Sequence, residues 1–171
     1  MIVNRQRRVP VAVQPLQHFY ERVRRELGFP ADAVTIQLIS DDAMARLNQT
    51  YRKKRGPTDV LSFPAKRTRP TKRAEYVGDI AISPETARRN ARRFSHTLTV
   101  EMRILILHGM IHLAGFDHAT DQGEMDRLER RLRRRLGVAG RVPAPLGARR
   151  NRAPGSTLTL NVPVRPGRGA R

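Results

Sequence analysis

A small α+β domain, with a mixed sheet of about four strands packed with about five helices, is the fold this sequence predicts. Three observations predict it. Short segments of strand character alternate with segments whose apolar residues recur at helical spacing. Two strand segments within residues 59–83 flank one polar loop and read as a hairpin. The length of 171 residues, with 39% hydrophobic residues and no Trp, suits one domain with a modest aliphatic core.

The elements follow in order. Residues 1–8 are polar and basic and read as a frayed arm. Val9 to Val13 reads as a first short strand, with Pro10 tolerated only near its edge or start. Pro15 suits the first turn of a helix whose apolar positions are Leu16, Phe19, Tyr20, Val23 and Leu27, and Gly28 ends it. His18 on this helix reads as an ordinary surface residue. Val34 to Ile39 alternates as a half-buried strand. Ser40 then caps a helix whose Asp41 and Asp42 suit its positive end and whose inner face is Met44, Leu47 and Tyr51. Asp59 to Phe63 is a strand stopped by Pro64. Residues 66–73 form a basic loop with five cations, read as a solvated hairpin loop or as a flap over RNA. Gly78 to Ser83 is the next strand, and Ser83-Pro84-Glu85 starts a helix running to Phe94 with arginines along one flank. His96 falls in a loop. A helix follows from about Thr99, and Gly115 stops it. Asp121 and Glu124 resemble a capping box for the last helix, with Met125, Leu128, Leu132 and Leu136 as its buried stripe. Gly137 closes a domain of residues 1–136. Residues 137–171, rich in Arg, Pro and Gly, offer little to bury and read as a disordered tail.

The bulk numbers narrow the function. No Cys is present, which excludes a disulfide framework and a thiolate metal site and fits the cytoplasm. No apolar run is long enough to span a membrane, and the N-terminus lacks the apolar core of a signal peptide. The net charge is +19. An Arg-for-Lys coding bias does not create it, because that exchange leaves charge unchanged. Nor does the tail, since residues 1–136 keep 27 basic against 15 acidic residues. Such a body favours a polyanionic partner.

The chemistry concentrates in His108 to His118, HGMIHLAGFDH, which holds three of the five histidines. His108 and His112, four apart, share one helix face, one turn apart, and can share a metal ion. The chain can turn at Gly115 and return His118 as a third nitrogen. Three protein ligands leave a fourth position on zinc open, as in catalytic sites. The spacing matches the histidines of HExxHxxGxxH metalloproteases, but Gly109 stands where those enzymes carry their Glu base. Asp79 and Asp117 are candidates to orient a ligand or to stabilise turns, and Glu101 either faces the site or pairs with an Arg.

This stretch resembles the signature of the YbeY family of metal-dependent endoribonucleases and ribosomal RNA maturation factors. Leu47 to Pro64, LNQTYRKKRGPTDVLSFP, and Gly78-Asp79-Ile80 match two further blocks of that family in the same order. The resemblance covers roughly residues 10–136. It implies the same α+β architecture, and it implies that Arg52 lies at the metal cleft and matters for RNA cleavage; Lys53, Lys54 and Arg55 add supporting charge for RNA. The expectation is a zinc-dependent endoribonuclease for single-stranded RNA, with one Zn2+ on His108, His112 and His118. A bound water of lowered pKa would serve as its nucleophile or base. The resemblance further implies a role in maturing the 3′ end of small-subunit (16S) ribosomal RNA and in ribosome quality control. Two rivals stand beside it: a metallopeptidase-like hydrolase on the same histidines, and a non-catalytic ribosome or RNA-binding factor whose zinc is structural.

Overall fold

The computed structural model describes residues 1–65, 76–117 and 121–138. Its nine elements are β1 (Ile2–Asn4), α1 (Val13–Glu26), β2 (Val34–Leu38), α2 (Asp41–Arg52), β3 (Val60–Pro64), β4 (Gly78–Ile82), α3 (Pro84–Arg93), α4 (Leu98–Leu113) and α5 (Glu124–Leu136). The sheet order is β1-β2-β4-β3. β1 and β4 both pair with β2 in parallel, whereas β3 and β4 pair antiparallel, with Val60 opposite Ile82 and Pro64 opposite Gly78. The expected mixed α+β sheet of four strands with five helices is therefore observed. The basic loop 66–73 lies outside the described residues, as do His118 and the tail from residue 139.

The start of the chain differs from its sequence reading. The frayed arm contains β1, and no strand forms at Val9 to Val13. The Met1 amine donates to Val34 O at 2.7 Å, and Arg5 N donates to Leu38 O at 2.9 Å, so three residues suffice for an edge strand on β2. Val9 is buried, but its N–H and C=O are taken by the Gln6 side-chain amide, both at 2.9 Å. One side chain thus does for Val9 what a neighbouring strand would have done, and Pro10 has no N–H to offer a ladder.

Both faces of the sheet are covered. Ile36, Leu38, Val60, Ile80 and Ile82 join α1 and α4 in the main core, while Leu61 and Ala81 meet Met44 of α2 in a second cluster. α4 is the centre of the molecule. From Glu101 to Leu113 it is buried on nearly every face, because it packs on β3 and β4 and is flanked by α1, α3 and α5. A helix apolar all round is a core helix. Among the described residues no helix is long and apolar enough to cross a membrane.

The helix ends explain where the elements stop. The Ser40, Ser83 and Thr97 hydroxyls accept from Ala43, Thr86 and Val100 N–H. Gly115, at φ +95°, lets the chain reverse after α4, with its N–H on His112 O at 3.0 Å. Asp121, expected as the cap of the last helix, stands two residues before the observed cap, Gly123; its carboxylate accepts from Gly123 N and Met125 N at 2.7 and 2.8 Å. Gly137 and Val138, assigned to the tail from sequence, finish α5. Gly137 adopts the left-handed cap and Val138 is buried in the core.

Candidate metal centre

A buried helix carries polar side chains only if something pairs with them. α4 carries three that bear on function: Glu101, His108 and His112. Glu101 pairs with neither an Arg nor the imidazoles further along the helix. It meets His96 Nε2 at 2.6 Å, with both side chains buried, and burial leads the factors that raise its pKa. His96, left out of the metal site on sequence grounds, belongs to this separate pair.

His108 and His112 are brought together as their spacing predicts. Their Nε2 atoms stand 3.2 Å apart, with the rings at 80° to one another. Two nitrogens bound at about 2.0–2.1 Å to one tetrahedral ion stand about 3.3 Å apart, so the separation suits two ligands of a single ion. The donor chemistry, imidazole nitrogen without thiolate, suits zinc and its neighbours. Among the described residues no third His, Cys, Asp or Glu completes a group of three; His118 lies outside them. The described flanks of that stretch are tied together, because Asp121 N donates to Asp117 O at 3.0 Å.

The pair is oriented from α5. His108 Nδ1 lies 2.9 Å from Glu129 Oε2, and the other carboxylate oxygen of Glu129 pairs with Arg133. Burial pushes the Glu129 carboxyl up, but the hydrogen bond and charge of His108 and the charge of Arg133 outweigh it and hold it at about 2. Glu129 is therefore a carboxylate near neutral pH. With a metal bound, it would accept the Nδ1 proton of His108 and leave the Nε2 lone pair for the ion, the tautomer that a ligand His requires. The sequence reading missed Glu129. Its signal was present: an acid four residues after Met125 falls in the buried stripe of α5, with Arg133 one turn further on.

Gly109 is explained by packing. A Cβ there would stand 3.0 and 3.1 Å from Ile80 Cδ1 and Cγ2 and 3.2 Å from Ser62 Oγ. Ser62 Oγ also donates to Gly109 O at 3.2 Å. This position faces the sheet at close range, so a Glu placed there would run into β3 and β4. Asp79, the other candidate orienter, accepts from the Tyr76 hydroxyl at 2.6 Å.

Arg52 ends α2 and is buried, with Lys53 in a left-handed cap after it. Its Nε, Nη1 and Nη2 are all buried and make no hydrogen bond. Burial lowers its pKa, and the nearby Asp59 carboxylate partly offsets that. The following loop is anchored by Asn48 Nδ2 on Gly56 O at 2.8 Å. Lys53 and Arg55 are exposed and Lys54 is half-buried. The hydrogen bonds of the imidazole pair do not include Arg52.

Comparison with known proteins bears on the family and the fold. The family described as endoribonuclease YbeY matches residues 1–137. A protein named endoribonuclease YbeY from Solibacter usitatus is 42% identical over 137 residues, covering 77% of this chain and 86% of its own. One of the same name from Koribacter versatilis is 42% identical over 136 residues, covering 80% and 85%. Among solved structures, TM1509 from Thermotoga maritima aligns with a TM-score of 0.55 at 28% identity, over 80% of this chain and 89% of that one. With its sheet, its paired imidazoles and its match over the whole described domain, the chain belongs to the endoribonuclease YbeY family.

Proposed function

We propose that this protein is a metal-dependent endoribonuclease that cuts single-stranded RNA in the cytoplasm. Its work would lie in ribosomal RNA processing: maturation of the 3′ end of 16S RNA on the small subunit, and ribosome quality control. The observation that carries the reading is the convergence of His108 and His112 Nε2 at 3.2 Å, with Glu129 Oε2 at 2.9 Å from His108 Nδ1. His108, His112 and His118 would hold one Zn2+. When bound, the ion supplies a Lewis acid and lowers the pKa of water toward neutrality.

The rest is the work of the chain. Neutral imidazoles leave the ion's full charge to attract a phosphodiester. Arg52 holds the scissile phosphate: a buried guanidinium with three unused nitrogens is a preorganised anion donor, and it stabilises charge developing on the phosphoryl oxygens. Lys53, Lys54 and Arg55 draw the RNA backbone toward it. The close approach of Gly109 to the sheet disfavours the peptidase alternative, because that position has no room for a base.

The test is cleavage of purified ribosomal RNA by wild type, His112→Ala and Arg52→Ala, with a thermal melt of each. Loss of cutting in both variants, with a native circular-dichroism spectrum in each and a melt for His112→Ala no lower than that of the chelated wild type, supports the assignment. Wild-type cutting by His112→Ala refutes it. Arg52→Ala should lower the rate about 100- to 1,000-fold, the usual cost of one preorganised donor.

A further inference from the structure

α5 has two functions on two faces. Its inner face, with Glu129 and Arg133, holds His108. Its outer face carries Arg127, Arg130, Arg131 and Arg134, spaced i, i+3, i+4 and i+7, so that one stripe runs along two turns. All four are exposed. Among the described residues none of them forms an ion pair; Arg127 and Arg130 only touch the main-chain carbonyls of Gln122 and Asp126. This stripe lines an open groove of about 720 Å³ together with Phe116 and Leu128, and among the described residues Glu124 is the one carboxylate on its wall. Phe116 belongs to the turn that ends α4, four residues after His112.

From this juxtaposition we infer that the outer face of α5 is a binding track for single-stranded RNA. The inference rests on the endoribonuclease reading and adds the surface that holds the substrate. Charge complementarity selects the occupant. Four guanidiniums against one carboxylate favour a polyanion, and arginines spaced along a helix match phosphates spaced along a strand. The partly buried Phe116 in the groove wall favours an unpaired strand, because only an unstacked base can lie against its ring. A duplex keeps its bases stacked inward and gains nothing from that ring.

The test uses the full-length, metal-loaded chain, carrying Arg52→Ala in every arm to slow cutting, and a short fluorescein-labelled single-stranded RNA, read by anisotropy across a salt series, with a gel to show that the RNA stays intact. The stripe variant is Arg127→Gln, Arg131→Gln and Arg134→Gln together. The matched control, Arg22→Gln, Arg88→Gln and Arg92→Gln, removes the same charge from exposed positions on α1 and α3. Each phosphate contact on a single strand contributes about 0.7 to the salt slope. The stripe variant should therefore bind at least ~10-fold and at most ~100-fold more weakly near 0.1 M salt, with a slope shallower by about 2. The control should stay within ~2-fold of the Arg52→Ala parent, and a duplex of the same sequence should compete poorly.

Equal losses in stripe variant and control would mean diffuse charge and overturn the inference. So would a duplex that competes as well as the single strand. A stripe variant that keeps its RNA affinity but loses adsorption to phosphatidylserine vesicles would assign the face to a membrane instead, and overturn it too. The two readings fail separately. If wild type cuts RNA and the stripe variant binds it normally, only the track is refuted. If the stripe variant loses binding but wild type never cuts, the track stands and the nuclease reading falls.

Discussion

Glu129→Gln separates the two tasks of one buried carboxylate. In the wild type Glu129 meets His108 with one oxygen and Arg133 with the other, and all three side chains are about nine-tenths buried. The amide keeps the shape and can still accept the Nδ1 proton, but it loses the charge. Two losses follow. A charge-assisted hydrogen bond contributes about 1.5–3 kcal/mol. Arg133, whose Nε and Nη1 already lack partners, becomes a buried cation without its anion, and breaking a buried pair from one side costs about 3–5 kcal/mol. These overlap, so a total near ~4 kcal/mol is expected. At about 3 °C per kcal/mol for a domain of this size, the melt should fall by ~12 °C. Zinc affinity, measured by competition with a chromophoric chelator, should fall about 10- to 100-fold because the His108 tautomer is no longer held by a charge. Adding Arg133→Met removes the stranded cation. The double variant should recover most of the stability and none of the zinc affinity. If stability and affinity return together, Glu129 is only a structural anchor; an unchanged affinity in Glu129→Gln would refute the orienting role outright.

Three further outcomes follow from the same contacts. Gly109→Ala puts a methyl group 3.0–3.2 Å from Ile80 and Ser62; overpacking of this kind should cost about 1–3 kcal/mol in urea denaturation, and a loss below ~0.5 kcal/mol would show that α4 can shift off the sheet freely. Asp41 is pushed up by burial but held lower overall by hydrogen bonds from Ser83, Arg89 and Thr86. Because its folded pKa is depressed, its contribution is complete above the unfolded value of ~3.9 and is lost as pH falls through the folded one. The melting gap between wild type and Asp41→Asn should therefore be full at pH 6 and close below about pH 4; a gap that widens in acid contradicts the assignment. Chelation should stop RNA cutting while circular dichroism stays native, with the melt lower by the linkage term of about 3 kcal/mol at a hundredfold excess of zinc over Kd. Unfolding on chelation would make the ion structural.

Legibility in the sequence followed how locally each feature is determined. The helical stripes of α1, α2 and α5 and the strands β2, β3 and β4 were readable because their apolar residues repeat within one element. β1 was not, since Ile2 to Asn4 is three residues long and its strand state depends on carbonyls of β2 more than thirty positions away. Val9 misled for the opposite reason: a β-branched, buried residue looks like a strand, yet its main-chain partners come from the Gln6 amide. The imidazole pair was legible because four residues on a helix fix a geometry without any tertiary information. Glu129 reaches that pair only through the packing of α5 on α4.

Gly109 serves packing as well as chemistry. From sequence, Gly109 is a missing base, a departure from a protease pattern. In the fold it is the point where α4 comes close enough for Ser62 Oγ to bond its carbonyl, and a Cβ there would press on the Ile80 and Ser62 side chains at 3.0–3.2 Å. His108, the next residue, is held from the other side by Glu129. The sheet and α5 thus grip adjacent residues of one helix from two directions, which fixes the rotation of α4 and with it the line along which the two Nε2 atoms meet. A wider residue at 109 should therefore loosen the imidazole pair although it touches neither ring. Zinc affinity of Gly109→Ala should fall together with its stability, whereas an equally destabilising cavity far from the pair, such as Leu16→Ala in α1, should leave the affinity of the folded fraction unchanged.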